Sequence, residues 1–367
     1  MSSSLGDIGR ALRERYPVTS ALELEMDGVA IRVSSNSPVL IGKLEAYFGR
    51  HVAHTARASA IRITALEASP PEFAVPFQDW PAPPGKALSK EAFADTPSGR
   101  VVRKLRTAMQ FVVSPTELIA VGPCLQHTNQ VVNFIVSQHI SQKRHAGWLV
   151  CHAAGVAADT AGALAIAARS GAGKSTLALR LMSSGLSYVS NDRLLLRRAA
   201  GAAEVAGVPK LPRVNPGTLL HNPDLADLLP MKRRRELLEL DPSALWDLEE
   251  KHDVCVDSVY GPGQSRDRAP LAALVLLCWQ RCAALPTRFA PVQLEQRRDL
   301  LALLIKPTGV FDIAVGGGSA ASPAVNEPGA RAYLEALADV RVLEVTGRVD
   351  FQRATRYFRE LLELPQP

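Results

Sequence analysis

No hydrophobic run in this sequence is long enough to cross a membrane. The longest apolar run covers residues 271–279, far short of the roughly 20 residues that a membrane-spanning helix needs. The first residues, MSSSLGDIGRALRERYPV, also lack the apolar core of a secretory signal peptide. We therefore expect a cytoplasmic protein with no membrane partner.

Aromatic residues are scarce, at 5% of the chain. The net charge of +6 would suit an acidic partner, but the basic residues are not interleaved with aromatic ones as they are in sites that stack nucleic-acid bases. We expect no nucleic-acid partner. With 367 residues, of which 47% are hydrophobic and 21% charged, the chain can bury a large core, and its length favours two structural units.

Cysteine is also sparse, and its spacing excludes the common zinc motifs. The chain has 5 cysteines. Cys278 and Cys282 stand four positions apart with no matching second pair. We interpret both as buried free thiols rather than zinc ligands, which fits a reducing compartment.

The sequence does contain a glycine-rich motif, ARSGAGKST, at residues 168–176. An apolar segment at 163–167 predicts a strand before the motif, and an amphipathic helix is predicted to begin at Lys174. This strand–loop–helix order is typical of a phosphate-binding loop (P-loop), because glycines let the backbone bend until successive N–H groups point at a polyphosphate. The predicted nucleotide-binding residues are Ser170, Gly171, Ala172, Gly173, Lys174, Ser175 and Thr176.

Further candidates lie outside the loop. A strand predicted at 186–190 ends at Asn191 and Asp192. His152 closes an apolar run before the loop, so it is either a core residue or part of the site, since strands flanking a phosphate loop direct their carboxyl ends toward the nucleotide. Lys210 and Arg213 stand in GVPKLPRVNPG, and they either clamp phosphates or an acidic substrate or belong to a rigid surface loop.

The pattern along the chain predicts three segments. Residues 1–68 mix helical and alternating strand patterns and are predicted to form a small N-terminal α/β unit. Residues 69–99 begin with the proline-rich stretch SPPEFAVPFQDWPAPPGK and are predicted to be a linker. Residues 100–367 are predicted to form the P-loop domain. A basic cluster at the start of this domain is interpreted as a solvated edge rather than a phosphate contact: Arg100, Arg103, Lys104 and Arg106.

The residues around the loop resemble a known family. His152, the loop at 168–176 and the pair Asn191 and Asp192 look like the catalytic core of bacterial HPr kinase/phosphorylase, which is itself similar to the nucleotide-binding part of phosphoenolpyruvate carboxykinase. The stretches GVPKLPRVNPGTLL, LWDLEEKHDV and TGRVDF are similar to those of the bacterial HPr-kinase-related kinases of type B. The resemblance implies an α/β fold with a P-loop kinase core, to which the small N-terminal α/β unit is added.

The resemblance also implies roles for single residues. Lys174 and the loop would bind ATP, and Ser175 and Asp192 would hold Mg²⁺. Asp192, with His152 beside it, would orient or deprotonate the hydroxyl of an acceptor. Where the family carries a first aspartate, this chain has Asn191, whose amide cannot accept a proton. Relatives of HPr kinase assemble into homo-oligomers, so a homo-oligomer is implied here.

Two functions from different classes are consistent with these residues. The leading hypothesis is a Mg²⁺- and ATP-dependent phosphotransferase whose unknown acceptor is a serine of a partner protein or a small-molecule alcohol. The alternative is a nucleotide-sensing regulatory module with little or no transferase activity, which Asn191 favours. In the first hypothesis, Asn191, Lys210 and Arg213 are candidate contacts to substrate or phosphate.

Overall fold

The computed structural model describes residues 4–55, 58–82, 88–307, 309–313 and 327–363. The chain divides into two compact units. The first combines residues 1–146 with residues 307–324, and the second combines residues 147–306 with residues 325–367. Both units contain helices and strands, so the predicted α/β class is confirmed.

The elements of the first unit follow in chain order. They are α1 (Leu5–Arg15), β1 (Ser20–Met26), β2 (Val29–Ser35), α2 (Pro38–Phe48), β3 (Ile61–Glu67), β4 (Gln78–Asp79), β5 (Glu91–Thr96), β6 (Gly99–Lys104), β7 (Gln110–Val113), β8 (Leu118–Gly122) and α3 (Thr128–His145). The strands form an 8-stranded sheet in the order β1-β2-β3-β8-β7-β6-β5-β4. Alternating apolar residues explain its first strand, in which Leu22, Leu24 and Met26 are buried.

The predicted segment boundaries at residues 68 and 99 differ from this division, because strands on both sides of them share one sheet. β3 lies in the predicted N-terminal unit and pairs in parallel with β8, beyond residue 100. β5 lies within the predicted linker and pairs with β6. Strand pairing across these boundaries depends on partners that are distant in sequence, so the local proline-rich composition did not reveal it.

Arg100 corrects the prediction of a solvated basic edge. Its side chain is 0% exposed, because it stands on β6 inside the sheet. The guanidinium donates to both carboxylate oxygens of Asp95, at 2.6 and 3.0 Å, and to the carbonyl oxygen of Val310 at 3.0 Å. A buried guanidinium needs such partners, since an unpaired charge in the core is costly. Arg100 therefore holds the segment around Val310 against β6.

His139 on α3 is a buried histidine without hydrogen bonds. It is 0% exposed, and neither ring nitrogen has a partner among the residues that the structure describes. Burial lowers the pKa of His139 from 6.5 to about 3, and the charge of nearby Lys143 acts in the same direction, while Asp27 opposes it and His51 adds a smaller lowering effect. The imidazole is therefore neutral in the folded protein at pH 7.

We expect His139 to make the first unit sensitive to acid. Below pH 6.5 the unfolded chain binds a proton that the folded chain excludes, so the free energy of unfolding should fall by about 1.4 kcal/mol per pH unit until the pH approaches the folded value. Urea unfolding between pH 7 and pH 4 measures this slope. His139→Leu should remove it, and His145→Gln, an exposed histidine on the same helix, should not. Equal slopes in the His139→Leu variant and the unaltered protein would contradict the prediction.

The second unit contains the remaining elements. They are β9 (Leu149–Cys151), β10 (Ala153–Ala158), β11 (Gly162–Ala168), α4 (Lys174–Met182), β12 (Ser187–Ser190), β13 (Leu194–Ala199), β14 (Ala202–Gly207), β15 (Arg213–Val214), α5 (Pro216–Leu220), α6 (Met231–Leu238), α7 (Pro242–Asp247), β16 (His252–Asp253), α8 (Val256–Tyr260), β17 (Arg268–Leu277), β18 (Arg288–Pro291), α9 (Arg298–Leu304), α10 (Glu327–Ala336), β19 (Arg341–Thr346) and α11 (Phe351–Leu361). The strands and helix predicted around the glycine-rich motif correspond to β11, α4 and β12.

A 9-stranded sheet organises the second unit, with β12-β10-β11-β17-β14-β13-β9 as its main path and β19 beside β17. β11 pairs in parallel with β17, and β17 pairs in parallel with β19. β10 is antiparallel to both β11 and β12. The carboxyl ends of β11, β12, β17 and β19 therefore lie at one edge of the sheet, together with the start of β10. In open α/β sheets, ligands bind at this edge.

Helices cover both faces of this sheet. Residues of α4 and α11 pack on one face, against alternate residues of β10, β11 and β17. Residues of α9 and α10 pack on the other face, against the residues in between. A sheet buried on both faces needs apolar residues at consecutive positions, and β11 and the second half of β17 have them.

The two cysteines after β17 differ in exposure. Cys278 is half-buried and Cys282 is exposed, so the prediction that both are buried thiols is wrong for Cys282. Cys282 stands in the loop after β17 rather than in the apolar strand, which ends at Leu277.

Among the helices of the described residues, none has the length and apolarity needed to span a bilayer.

Candidate functional site

The candidate site lies at the edge of the second sheet where β11 and β12 end. The glycine-rich loop follows β11, and Asn191 and Asp192 follow β12. His152 precedes β10, whose first residue Ala153 pairs with Ala167 near the end of β11. Because β10 is antiparallel to its neighbours, its amino end meets their carboxyl ends. The fold thus brings His152 to the loop from a different part of the chain.

The loop has the backbone that a polyphosphate cradle requires. Gly171 and Gly173 have φ angles of 81° and 93°, a region that residues with a side chain rarely enter. At Gly173 a Cβ atom would also approach the ring of Phe351 to 2.8 Å. The loop then passes directly into α4 at Lys174. The unpaired N–H groups and the dipole at the start of this 9-residue helix favour a bound anion.

Lys174 lies in the loop with its ammonium group against main-chain oxygens. Its Nζ donates to the carbonyl oxygen of Ala168 at 2.9 Å and to that of Arg169 at 3.4 Å. Burial lowers the pKa of Lys174 to about 8, with Lys306 and Lys251 acting in the same direction and Asp192 opposing them. An ammonium with so little compensating negative charge is suited to receive an anion.

The two hydroxyls that follow Lys174 have different partners. Ser175 Oγ donates to Asn191 Oδ1 at 2.8 Å, which joins the start of α4 to the end of β12. Thr176 shares a buried hydrogen bond of 2.7 Å with Thr218. Both threonines line the same cavity as the loop. Thr176 thus has a structural partner in addition to its predicted place in the nucleotide site.

Asp192 occupies a strained position between several cations. Its φ angle is 66°, a left-handed conformation that asparagine and aspartate tolerate better than most residues. The half-exposed carboxylate lies 3.6 Å from His152 Nε2 and 3.5 Å from Lys306 Nζ. Partial burial opposes its ionisation, but the charges of Lys306, Arg193 and other cations prevail and hold the pKa of Asp192 below its usual value. Asp192 is therefore a carboxylate at pH 7.

His152 is neutral beside this carboxylate. Burial lowers the pKa of His152 to about 4, and the charges of Lys174 and Lys306 add to the effect, while Asp192 opposes it. The backbone N–H of His152 donates to the carbonyl oxygen of Leu304 at 2.6 Å. A neutral imidazole can donate one hydrogen bond to Asp192 without cancelling its charge.

The loop and the acidic residue open into one cavity of about 850 Å³. This volume lies within the range of small-molecule sites, roughly 300–1,000 Å³. Its lining residues include all the predicted site residues: His152, Ser170, Gly171, Ala172, Gly173, Lys174, Ser175, Thr176, Asn191, Asp192, Lys210 and Arg213. Every lining residue belongs to the second unit.

The oxygen atoms at the mouth of α4 are of the type that Mg²⁺ prefers. They come from the hydroxyl of Ser175, the amide of Asn191 and the carboxylate of Asp192. The described residues contain no cluster of three histidine, cysteine, aspartate or glutamate side chains that would hold a metal by themselves. Mg²⁺ is commonly held by one or two carboxylates together with substrate phosphates, so these side chains fit a Mg²⁺ that arrives with a nucleotide.

Comparisons with known proteins give little beyond this geometry. No protein-family model matches the chain, and no curated protein matches it. Among solved structures, the chain is similar to the HPr(Ser) kinase/phosphatase from Coxiella burnetii, with 11% sequence identity, a TM-score of 0.29, and coverage of 58% of this chain and 88% of that one. A TM-score this low supports no inference about activity.

The structure adds site residues that sequence reasoning missed. Lys306 follows α9, and the chain there runs antiparallel to Cys151, so the ammonium lies at Asp192 although 114 positions separate the two residues. Lys251 lines the cavity from the segment after α7. Lys306 stands in no motif, so the sequence contained no signal for it. The motif-like stretch LWDLEEKHDV does include Lys251, but it does not single this residue out.

Two aromatic side chains contact the loop. Trp279 Nε1 donates to the carbonyl oxygen of Ala172 at 2.8 Å. Phe351 packs edge-on against Trp279, with ring centroids 5.2 Å apart, and contacts Gly173. Both aromatic residues stand at element ends, after β17 and at the start of α11. They contact the loop at Ala172 and Gly173, and both also line the cavity.

We expect Trp279→Phe to loosen the loop. The substitution removes one hydrogen bond and leaves the Ala172 carbonyl without its donor, which should lower the free energy of unfolding by about 1 kcal/mol and weaken ATP binding by roughly threefold to tenfold. Chemical denaturation and equilibrium ATP binding measure the two effects. Trp148→Phe is the control, since Trp148 packs under Arg197 instead. A loss of ATP affinity equal in both variants would contradict the specific role of Trp279.

Proposed function

We propose that this protein is a Mg²⁺- and ATP-dependent phosphotransferase with a P-loop kinase core, which phosphorylates a hydroxyl group of a partner protein or a small molecule. The observation that supports it is the meeting of Lys174, Ser175 and Asp192 in one cavity at the carboxyl ends of β11 and β12, the two strands that flank β10. Phosphoryl transfer requires mainly positioning of the phosphates and neutralisation of their charge. These residues are of the types that do both.

Each residue has a distinct task in this proposal. The amides of the loop and the ammonium of Lys174 bind the β- and γ-phosphates of ATP. Ser175 and Asp192 hold Mg²⁺, which when bound neutralises charge on the transferred phosphoryl group. Asp192 Oδ atoms accept the hydrogen of the acceptor hydroxyl and orient its oxygen toward the γ-phosphorus.

The electrostatics favour orientation over strong basicity at Asp192. Because nearby cations hold the pKa of Asp192 low, its carboxylate is a weak base, and the neutral His152 is available to fix it by a hydrogen bond. The loose transition state of phosphoryl transfer needs little deprotonation of the acceptor before attack. A single carboxylate is therefore sufficient in kind, even though Asn191 replaces the first acidic residue of the resembling family.

A second candidate is a nucleotide sensor with little or no transfer, and Asn191 is the observation that favours it. The side-chain oxygen of Asn191 accepts the hydrogen bond of Ser175, and an amide cannot take a proton from an acceptor. In this alternative the same cavity binds nucleotide, and the bound state alters a partner interaction.

A single-turnover experiment separates the two candidates. The purified protein is incubated with γ-labelled ATP and Mg²⁺ in a lysate of its own host, and Asp192→Asn protein is treated in parallel. A labelled protein or metabolite that appears only with the unaltered protein supports the phosphotransferase. ATP binding without any label supports the sensor. The predictions of a homo-oligomer and of a cytoplasmic location stay predictions.

A further inference from the structure

The cavity contains a second group of cations that the phosphate loop does not use. Lys210 and Arg213 line the cavity together with Asp192 and Lys174. The charges that act on Lys174 are those of Asp192, Lys306 and Lys251. The charges that act on Lys210 are those of Arg193, Asp192, Arg213 and Asp253. The Asp192 carboxylate lies 3.5 Å from Lys306 Nζ, and the charge of Lys210 also acts on it. We call Lys174, Lys251 and Lys306 the loop group, and Lys210, Arg193 and Arg213 the Lys210 group.

Two hydrogen bonds hold the backbone of Lys210. Its N–H donates to the carbonyl oxygen of Val208 at 2.7 Å, and its carbonyl oxygen accepts a hydrogen bond of 3.0 Å from Tyr188 Oη. A few residues later, Arg213 pairs with Asp253 between β15 and β16. A binding group on a fixed backbone loses less freedom when a ligand arrives. Lys210 is thus built into the cavity wall rather than carried on a loose loop.

The ammonium of Lys210 lacks a partner. Within the described part of the chain, the Nζ of Lys210 has no hydrogen bond or ion pair, and neither has the side chain of Arg193. The guanidinium of Arg213 is paired with Asp253 at 3.0 Å. The pKa of Lys210 is lowered to about 8 by burial and by the charges of Arg193 and Arg213. Nearby carboxylates offset this effect only in part. The Lys210 group therefore has an excess of positive charge that an anion would offset.

We infer that Lys210 and Arg213, which line the cavity, form a second anion subsite to which the nearby charge of Arg193 adds, and that it holds an oxyanion group of the acceptor. The acceptor would then be an alcohol that carries a phosphate or a carboxylate near its reacting hydroxyl. An anion on Lys210 places that hydroxyl next to Asp192 and opposite the loop group. The role of the acceptor rests on the proposed function, whereas the existence of the anion subsite does not.

Phosphoryl transfer needs no reactant other than ATP and the acceptor. The acceptor oxygen forms a bond to the γ-phosphorus while the bond from that phosphorus to the β–γ bridging oxygen breaks. ADP leaves with the electron pair of the broken bond, and the hydroxyl proton passes to the carboxylate of Asp192. The Lys210 group takes no part in bond making, and its task is to bind and orient the acceptor.

Inorganic phosphate tests the subsite without any assumption about transfer. Calorimetric titration of the full-length Lys174→Met protein, whose loop group is weakened, should still show bound phosphate. Lys210→Met in the same background should reduce the phosphate affinity at least tenfold, roughly the effect of one charged hydrogen bond. Lys232→Met removes an equal charge from an exposed position on α6 and should leave the affinity unchanged. If Lys174→Met protein does not fold, wild-type protein saturated with Mg²⁺ and a non-hydrolysable ATP analogue replaces it.

The outcomes separate this inference from the proposed function. Phosphate binding that Lys210→Met does not weaken, or weakens only as much as Lys232→Met does, overturns the subsite. Lys210-dependent phosphate binding in a protein that binds no ATP would uphold the subsite and refute the phosphotransferase. Glycerol 3-phosphate and a peptide that carries a free serine next to a phosphoserine then compete for the site: displacement by the small ester alone assigns a small acceptor, and displacement by the peptide as well assigns a protein acceptor. Displacement by neither overturns the acceptor role.

Discussion

Lys174→Met should weaken ATP binding by about a hundredfold, since a hydrogen bond to a charged group contributes about 1.5–3 kcal/mol and each 1.4 kcal/mol is tenfold. Among the residues that the structure describes, the ammonium of Lys174 donates hydrogen bonds to the carbonyl oxygens of Ala168 and Arg169. It is therefore available to move onto the phosphates of ATP. The loop amides remain in the variant, so some residual binding is expected.

The fold should survive this change. Burial already disfavours the charge of Lys174, as the fall of its pKa to about 8 indicates, and methionine keeps most of the aliphatic stem. Equilibrium binding of a fluorescent ATP analogue with Mg²⁺ gives the affinity, and chemical denaturation gives the stability. Lys232→Met, an equal change of charge on an exposed turn of α6, should bind ATP normally. Normal ATP affinity in the Lys174→Met protein would refute the phosphate-loop assignment.

Asp192→Asn should reduce phosphoryl transfer by about a thousandfold while ATP binding persists. The amide keeps the shape of the side chain and tolerates the φ angle of 66°, but it can neither hold Mg²⁺ with a charge nor take the acceptor proton. Proton transfer alone contributes 10²–10⁴-fold in enzymes. Single-turnover transfer and ATP binding, measured with and without Mg²⁺, separate these effects.

Removal of the carboxylate should also change how ATP binding depends on Mg²⁺. Without Mg²⁺, the carboxylate of Asp192 repels the phosphates, so the Asp192→Asn protein should bind free ATP at least as tightly as the unaltered protein does. The gain in ATP affinity that Mg²⁺ gives should be smaller in the Asp192→Asn protein than in the unaltered protein. Asp192→Val is a control for the backbone, because a β-branched residue at this φ angle should cost about 1–3 kcal/mol of stability. Full transfer activity in the Asp192→Asn protein would contradict the proposed role.

The elements around the loop could be predicted because their signals are local. The apolar segment before the motif, the two glycines with positive φ angles and the helix from Lys174 are consecutive in sequence, and each depends on properties of its own residues. The strand that ends before Asn191 was predicted in the same way. A short motif with its flanking pattern thus specifies its own backbone, whatever the rest of the chain does.

The boundaries of the two units could not be predicted from such signals, although the length of the chain favoured two units. β5 lies in a stretch that reads as a linker, and it becomes a strand because β6 pairs with it along its whole length. The sequence predicted that Arg100 lies in a solvated cluster. Asp95 and the carbonyl oxygen of Val310, 210 positions away, offset the cost of burying its charge. Burial of a charge is decided by partners, and the sequence does not show which partners the fold supplies.

The sequence by itself determined the glycine-rich motif, its strand and helix, and the residues that we propose to bind a polyphosphate. Only the tertiary structure decided what surrounds Asp192, because the cations there come from separate segments: Lys306 after α9, Lys210 in the proline-rich loop, and Lys174 in the phosphate loop. Backbone conformation follows from neighbouring residues, whereas an electrostatic field is the sum over charges that only folding brings within a few ångströms of one another.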